Sequence, residues 1–151
     1  MTRQLSLTDR SWPVLGRLTR VHTALYRATG GRIGHRVPRA PRVLLLDHVG
    51  ARTGTRRTTP LAYMPSGGSF VVVGSKSGHP NDPAWVHNLR AHPDTEIQVG
   101  PDRISVRARQ ADAAERQRLW PEAVRYNPIW GRYQRRTQRV IPLIILEPQR
   151  D

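Results

Sequence analysis

The chain has 151 residues, 37% of them hydrophobic, no cysteine and a formal net charge of +14. That length suits a single domain with a real core, and the absence of cysteine excludes a disulfide framework and any thiolate metal site. No apolar run approaches the ~20 residues that a membrane-spanning helix needs, and the first residues, MTRQLSLTDRSW, lack an apolar signal core, so the sequence reads as that of a cytoplasmic protein.

In chain order, SWPVLGRLTRVHTALYRATGG reads as a helix. Ser11 can cap it, Pro13 lies in its first turn, and Gly30–Gly31 can end it. Val14, Leu15, Leu18, Val21, Leu25 and Tyr26 recur at helical spacing, with Arg17, Arg20 and Arg27 off that stripe. Such a basic amphipathic helix either packs on its own domain or lies on an anionic membrane. GRIGHRVPRAPR is a loop, VLLLDHV a mostly buried strand, and GARTGTRRTTP a turn carrying two glycines. LAYM and SFVVVGS are strands joined by PSGG, a hairpin signal. DPAWVHNLRAHP is a short helix with Asp82 as its cap, Pro83 in the first turn and Pro93 past its end. TEIQV and ISVRAR pair around GPDR. Asp112 and Glu115 form a capping pattern for AAERQRLWPEAVRY, which Pro121 is expected to bend or break. VIPLIILEP closes the chain as a strand. Hairpin-linked short strands favour an antiparallel sheet closed into a barrel with helices at its side, an α+β fold.

Lys76 is the only lysine among 25 Lys+Arg. It follows an apolar strand and precedes a Gly/Pro-rich turn and a helix start, where free backbone N–H groups suit an anion. Lysine offers a compact point charge where arginine offers a rigid fork. The second basic loop sets Arg52, Thr53, Arg56, Arg57, Thr58 and Thr59 around Gly50 and Gly54. Its glycines allow close approach to the backbone, and its hydroxyls and guanidiniums suit phosphate or carboxylate. The two loops flank neighbouring strands and could meet at one barrel end. Six histidines lack the spacing of a zinc site, so no metal is expected. His79 and His87 flank the proposed site.

Three stretches, HVGARTGTRRTTPLAY, VVVGSKSGHPNDPAWVHNLRAHP and LWPEAVRYNPIWGRYQRRTQRVIPLIILEP, together resemble the deazaflavin-dependent nitroreductase family over residues 43–148. The resemblance implies a split β-barrel like that of FMN-binding pyridoxamine-phosphate oxidases, with an N-terminal helix (1–30) and flanking helices on a 31–151 barrel domain. It implies coenzyme F420, with FMN the alternative, and hydride transfer to a quinone, nitro compound or activated alkene. Carried over by position, Arg52, Thr53 and Arg57 meet the phosphate and oligoglutamate tail, and Thr58, Thr59 and Pro60 continue that wall. Val73, Gly74, Ser75 and Lys76 line the cofactor, and Trp85 and Asn88 complete its site. Ser75, Trp130 and Tyr133 are the candidate catalytic residues. Asp47 and His48 depart from the threonines common before the first glycine in that family, and Asn127 stands where some members place a tyrosine.

The expected partners are a small-molecule hydride acceptor, a membrane surface reached through residues 11–30, and, in a homodimer, a second copy; a monomer is the other expectation. Two readings stand beside the enzyme: a non-catalytic cofactor carrier, and a basic nucleic-acid-binding protein. The second fits the charge, but the arginines lie in separate loops and no nucleic-acid motif appears.

Overall fold

The computed structural model describes residues 19–32 and 41–150. Ser11, Pro13, Val14, Leu15, Leu18 and most of the GRIGHRVPRAPR loop lie outside the described residues. The elements run as helix α1 (19–29), β1 (Val43–Val49), β2 (Arg56–Ser66), β3 (Ser69–Val73), α2 (Ala84–Ala91), β4 (Asp94–Val99), β5 (Asp102–Gln110), α3 (Ala113–Tyr126), α4 (Pro128–Arg135) and β6 (Leu143–Pro148). The six strands close into an antiparallel barrel in the order β1-β2-β3-β6-β5-β4.

Alternation along the strands builds two apolar layers. Leu44, Leu46, Tyr63, Val72, Ile97, Val106, Ile144 and Leu146 fill the barrel. The opposite faces, through Met64, Val71, Val73, Leu143 and Ile145, pack outward on Leu119, Ala123 and Trp130 of α3 and α4. This double burial explains why the strands read as continuous apolar runs. Gly67 and Gly68 both have positive φ, 55° and 82°, which a two-residue hairpin turn between right-twisted strands requires.

Antiparallel order brings the ends of β1, β3 and β5 and the starts of β2, β4 and β6 to one mouth. Helix α2 stops that mouth with Trp85, Val86 and Leu89, which join the interior cluster. The two basic loops therefore do meet at one end of the barrel.

Four local readings change. Residues 56–60 belong to strand β2 rather than to a turn; pairing with β1 across Val49↔Arg56 to Val43↔Ala62 extends the ladder to them. Asp82 does not cap α2, whose N-cap is Pro83; its carboxylate is taken by Arg139 at 2.8 Å and Arg90 at 3.1 Å. Helix α3 runs unbroken through Pro121, while its Asp112–Glu115 capping box forms as expected. Proline removes one backbone hydrogen bond there, and burial of Leu119 and Ala123 on either side holds the helix against the barrel. The apolar stripe of α1 divides: Tyr26 is fully buried, whereas Val21 is 58% and Leu25 43% exposed.

Tyr26 pins α1 to the barrel wall. Its hydroxyl donates to Val43 O (3.0 Å) and lies 3.3 Å from Gln98 O, and it accepts from Gly100 N–H (2.7 Å). Tyr26→Phe leaves those backbone groups short of a partner. It is expected to lower unfolding free energy by about 1–3 kcal/mol, read as a lower urea midpoint at unchanged m-value.

Candidate active site

The stopper helix carries the polar centre of the mouth. Asn88, buried on α2, accepts a hydrogen bond through Oδ1 from the Ala51 backbone N–H at 2.9 Å. A backbone N–H can only donate, so the amide orientation is settled and Nδ2 faces His48 Nδ1, 2.9 Å away. The amide donates there. The His48 proton therefore resides on Nε2, which lies 2.8 Å from Thr59 Oγ1 and donates to it. One buried chain thus links the basic loop, α2 and two barrel strands.

Burial, and then the nearby positive charge of Arg57, hold the His48 imidazole below its ordinary pKa; the Asp47 carboxylate acts in the opposite sense. The folded protein therefore takes up a proton at His48 less readily than the unfolded chain. Its contribution to stability is present above the unfolded value of about 6.5 and is lost as pH falls below it. Unfolding free energy should decline from pH 7 to pH 5, and His48→Gln should flatten that decline. An unaltered slope in the variant would show that other groups carry it.

Asp47, on the outer face of β1, is a second hub. It accepts from Arg27 Nη2 (2.5 Å), from Thr58 Oγ1 (2.6 Å) and, through Oδ2, from Arg103 Nη2 (3.4 Å). Arg27 also donates to Thr58 Oγ1 at 3.0 Å. Helix α1 is thereby tied to the strand pair, and the Thr58 hydroxyl is spent within the protein. Strand alternation sends Thr58 and Thr59 to opposite faces of β2, so the two do not form one wall.

Two grooves flank this strand. The larger, about 690 Å³, contains Asp47, Asp94 and Glu96 among its arginines and is largely neutralised by ion pairs such as Arg103–Glu96. The other, about 530 Å³, lies between α1 and the start of β2. Among the described residues, Arg20, Arg56, Arg57 and five threonines line it and no carboxylate does; Arg56 and Arg57 border the larger groove as well. Its buried Thr23 Oγ1 has no hydrogen-bond partner. Guanidiniums with no ion pair among the described residues, beside a buried hydroxyl with no partner among them, form a donor set suited to an anionic ligand.

Across the mouth, the chain leaving β3 is tightly held. Gly74 is buried, and a Cβ there would meet Pro142 at 2.8 Å and Val86 at 2.9 Å. Lys76 and Ser77 adopt positive φ, 43° and 54°, an expensive state for residues bearing a side chain. Gly78 follows at φ +80°, where a Cβ would meet Tyr133 O at 2.7 Å. Arg139 fixes this turn: it donates to Ser75 O (2.7 Å), His79 O (2.7 Å) and Asp82 Oδ1 (2.8 Å). Ser75 and Lys76 are half-buried, and α4 brings Tyr133 against the same turn.

The structure thus gathers Arg57, Thr59 and Asn88 on one side of the mouth and Val73, Gly74, Ser75, Lys76 and Tyr133 on the other. Arg52 and Thr53 sit exposed on the loop, where Thr53 Oγ1 turns back to accept from Thr55 N–H at 3.2 Å. Pro60 is half-buried within β2. Trp85 is buried inside the barrel and Trp130 in the outer layer, its ring stacked on Tyr126 with centroids 6.4 Å apart. The sequence marks His48 only as a departure from the family pattern, with no role, and does not mark Arg139 at all. A histidine inside an apolar strand was the available sign for His48; nothing local marks Arg139, whose partners lie about sixty positions away.

Comparison with known proteins agrees with this geometry. A model of the F420H(2)-dependent quinone reductase family matches residues 18–148, and the chain belongs to that family of F420H2-dependent oxidoreductases, on a split β-barrel. It is 47% identical over 132 residues to an F420H(2)-dependent quinone reductase of Mycobacterium tuberculosis strain H37Rv, covering 85% of this chain and 89% of that one. A solved F420-H2 dependent reductase is 34% identical with a TM-score of 0.64, over 70% of this chain and 93% of that one. Another solved structure, described as a domain-swapped dimer, is 30% identical with a TM-score of 0.67, over 94% and 100%. Coenzyme F420 is the cofactor of this family, and the carboxylate-free basic groove fits its phosphate and glutamates.

Replacing Arg139 by Met should destabilise the fold by about 3 kcal/mol, because two carbonyls lose their donor and the largely buried Asp82 carboxylate is left with the more exposed Arg90 alone. Arg139→Lys, without the planar fork, should recover less than half of that. Urea unfolding of both variants checks the order.

Proposed function

We propose that this chain reduces a quinone with F420H2, and that nitro compounds and activated alkenes are further acceptors at the same site. The observation that carries this reading is the arginine-and-hydroxyl groove without a carboxylate, opening beside the mouth where Lys76 is presented. The phosphate and glutamates lie on Arg52, Arg57 and Lys76, with Thr53 on the same loop as Arg52 and Thr59 on the same face of β2 as Arg57; Thr58, held by Asp47, and Pro60 lie on the other face. Val73, Gly74 and Ser75 line the ring, and Trp85 and Asn88 hold the helix that supports it. Bound F420H2 supplies a hydride from the C5 carbon of its reduced deazaflavin.

The protein's own contribution is placement and electrostatics. Unpaired arginines raise the local concentration of a polyanion and its association rate. The clamped Ser75–His79 turn sets the Ser75 hydroxyl and the Lys76 ammonium without reorganisation when the cofactor arrives. Tyr133 holds a proton at its hydroxyl for the acceptor, and buried Trp130 fixes α4 so that Tyr133 stays in place. With a quinone, hydride and proton together yield the hydroquinone.

In this reading the N-terminal amphipathic segment, residues 1–30, precedes the 31–151 barrel domain and makes its membrane contact, since quinones partition into lipid. Among the described residues no helix is long and apolar enough to cross a membrane. Val21 and Leu25, four apart and exposed, suit a helix lying in the interface. The Val21→Ser/Leu25→Ser protein should stay with the buffer when anionic liposomes are floated, while turnover of a water-soluble quinone persists; co-flotation equal to the parent protein would remove this part. A homodimer is the proposed assembly, as in the relative described as domain-swapped.

Titration with oxidised F420 and, in parallel, FMN tests the assignment. F420 should bind much more tightly than FMN and weaken with added salt. Lys76→Ala should cost about three- to tenfold in Kd, as loss of one screened charge contact predicts. Equal or absent binding of both cofactors would refute it.

A further inference from the structure

The buried hydrogen-bond chain at the barrel mouth accommodates a neutral His48 and no other. Ala51 N–H donates to Asn88 Oδ1, which leaves Nδ2 to donate to His48 Nδ1. If His48 takes up a proton, Nδ1 becomes a donor as well, and two donors face each other across 2.9 Å. Turning the amide over satisfies the imidazolium but sets Nδ2 against the Ala51 N–H. One of the two Asn88 contacts must therefore break, in an interior where an unmatched donor is costly. Helix α2 is held in the core by Trp85, Val86 and Leu89, and His48 is held by its strand. The loop from Ala51 to Thr55 is exposed. It closes on itself through Gly50 N–H to Thr55 O and Gly54 N–H to Gly50 O, each 2.9 Å. Among the described residues, the hydrogen bond that ties it to an element beyond its own strand pair is Ala51 N–H to Asn88. The loop is the part that gives way.

We propose that Asn88 and His48 are positioning residues that hold the basic loop at Ala51 for the anionic side chain of F420, and that a single proton taken up by His48 releases that loop. This rests on the F420 reading above, in which Arg52 and Thr53 of the loop meet the ligand. Neither Asn88 nor His48 has to touch the cofactor, since both ends of the amide are engaged inside the protein. The charges around His48 do not relieve the conflict. Arg57 of β2 is its cross-strand neighbour, and Asp47 adjoins it on β1. The groove beside it also holds Arg27 of α1, Arg56 of β2, Asp94 and Glu96 of β4 and Arg103 of β5. Asp47 is paired with Arg27 and Arg103, Glu96 with Arg103, and Asp94 with Arg107. On α2, Arg90 is paired with Asp82, and His87 and His92 are exposed. Burial, and then Arg57, hold the imidazole below its ordinary pKa, so the loop is latched at neutral pH and released in mild acid. Simple attraction has the opposite sign: a protein that gains positive charge in acid binds a polyanion more tightly.

Calorimetric Kd values for oxidised F420 from pH 8 to pH 5, at constant ionic strength, test the effect, and amide NMR spectra of the ligand-free protein test the cause. Each variant's profile is read against the parent's, which cancels the ligand's own titration. The parent Kd should rise by up to about tenfold per pH unit below the His48 pKa, the limit for one proton. His48→Gln, which takes up no proton, should lose that rise. Asn88→Asp offers one carboxylate oxygen to Ala51 N–H and the other to an imidazolium, so its affinity should hold or improve in acid, the inverse of the parent. Without ligand, the Ala51 amide signal should move together with the His48 ring signal, at a single midpoint below the ordinary histidine value of about 6.5. Parent affinity that stays level or increases in acid, an equal acid loss in His48→Gln, or an Ala51 signal that stays still while His48 titrates would each overturn the proposal. If the parent fails to bind F420 at neutral pH, the cofactor reading falls and the positioning role with it, while the Ala51 signal still decides whether the proton releases the loop. Should His48→Gln not fold, Asn88→Asp and the Ala51 signal decide.

Discussion

Closing six strands into a barrel removes the sheet's free edges but leaves a mouth to be stopped, and the stopper here is held by a buried side-chain amide. Asn88 has one face committed to Ala51 N–H and the other to His48. Because a backbone donor dictates which face is which, the rest follows without freedom: the imidazole tautomer, the Thr59 contact, and the closure of the Ala51–Thr55 loop over the barrel end. In a low-dielectric interior such a chain is either fully paired or costly. The basic loop is therefore anchored at its root to the stopper helix.

Charge is distributed with the same economy. A protein of net charge +14 repels itself, and many arginines are used up in ion pairs on the barrel wall, such as Arg107–Asp94 and Arg109 with Glu115 and Glu147. Those pairs are exposed and contribute little each. What they accomplish is selection. Among the described residues, the arginines lining the α1–β2 groove have no carboxylate within that groove, which leaves them available to an anion. Arg139 belongs to neither group: it is spent on two carbonyls and Asp82. It holds two consecutive residues with side chains in the left-handed region, beside the candidate ligand Lys76.

Much of the architecture could be read from local patterns. Strand alternation, the Gly67–Gly68 turn, the Asp112–Glu115 box and the closing apolar run depend on neighbours within a few positions, and they appear where those patterns placed them. The errors have a common origin. Residues 56–60 were read as a turn because glycine and threonine precede them, but β1 supplies the partner that makes them strand. Asp82 looked like a cap, and an arginine 57 positions away took its carboxylate. Pro121 looked like a break, and burial on both sides of it carried the helix through.

By itself, the sequence determined that this is a small basic α+β domain, closed by short hairpin-linked strands, with two glycine-bearing basic loops and an isolated lysine at their ends. Those features follow from spacing and residue chemistry, which are local. Only the tertiary structure decided which of the described arginines enter ion pairs, that Thr58 turns to Asp47 while Thr59 turns to His48, and that Trp85 and Trp130 lie within packed layers. It also decided that Arg139 reaches back about sixty residues to hold the turn at Lys76. Each of these depends on which strand lies beside which and on which face a side chain emerges. That information resides in the closure of the barrel, where residues distant in sequence compete for the same donors and acceptors.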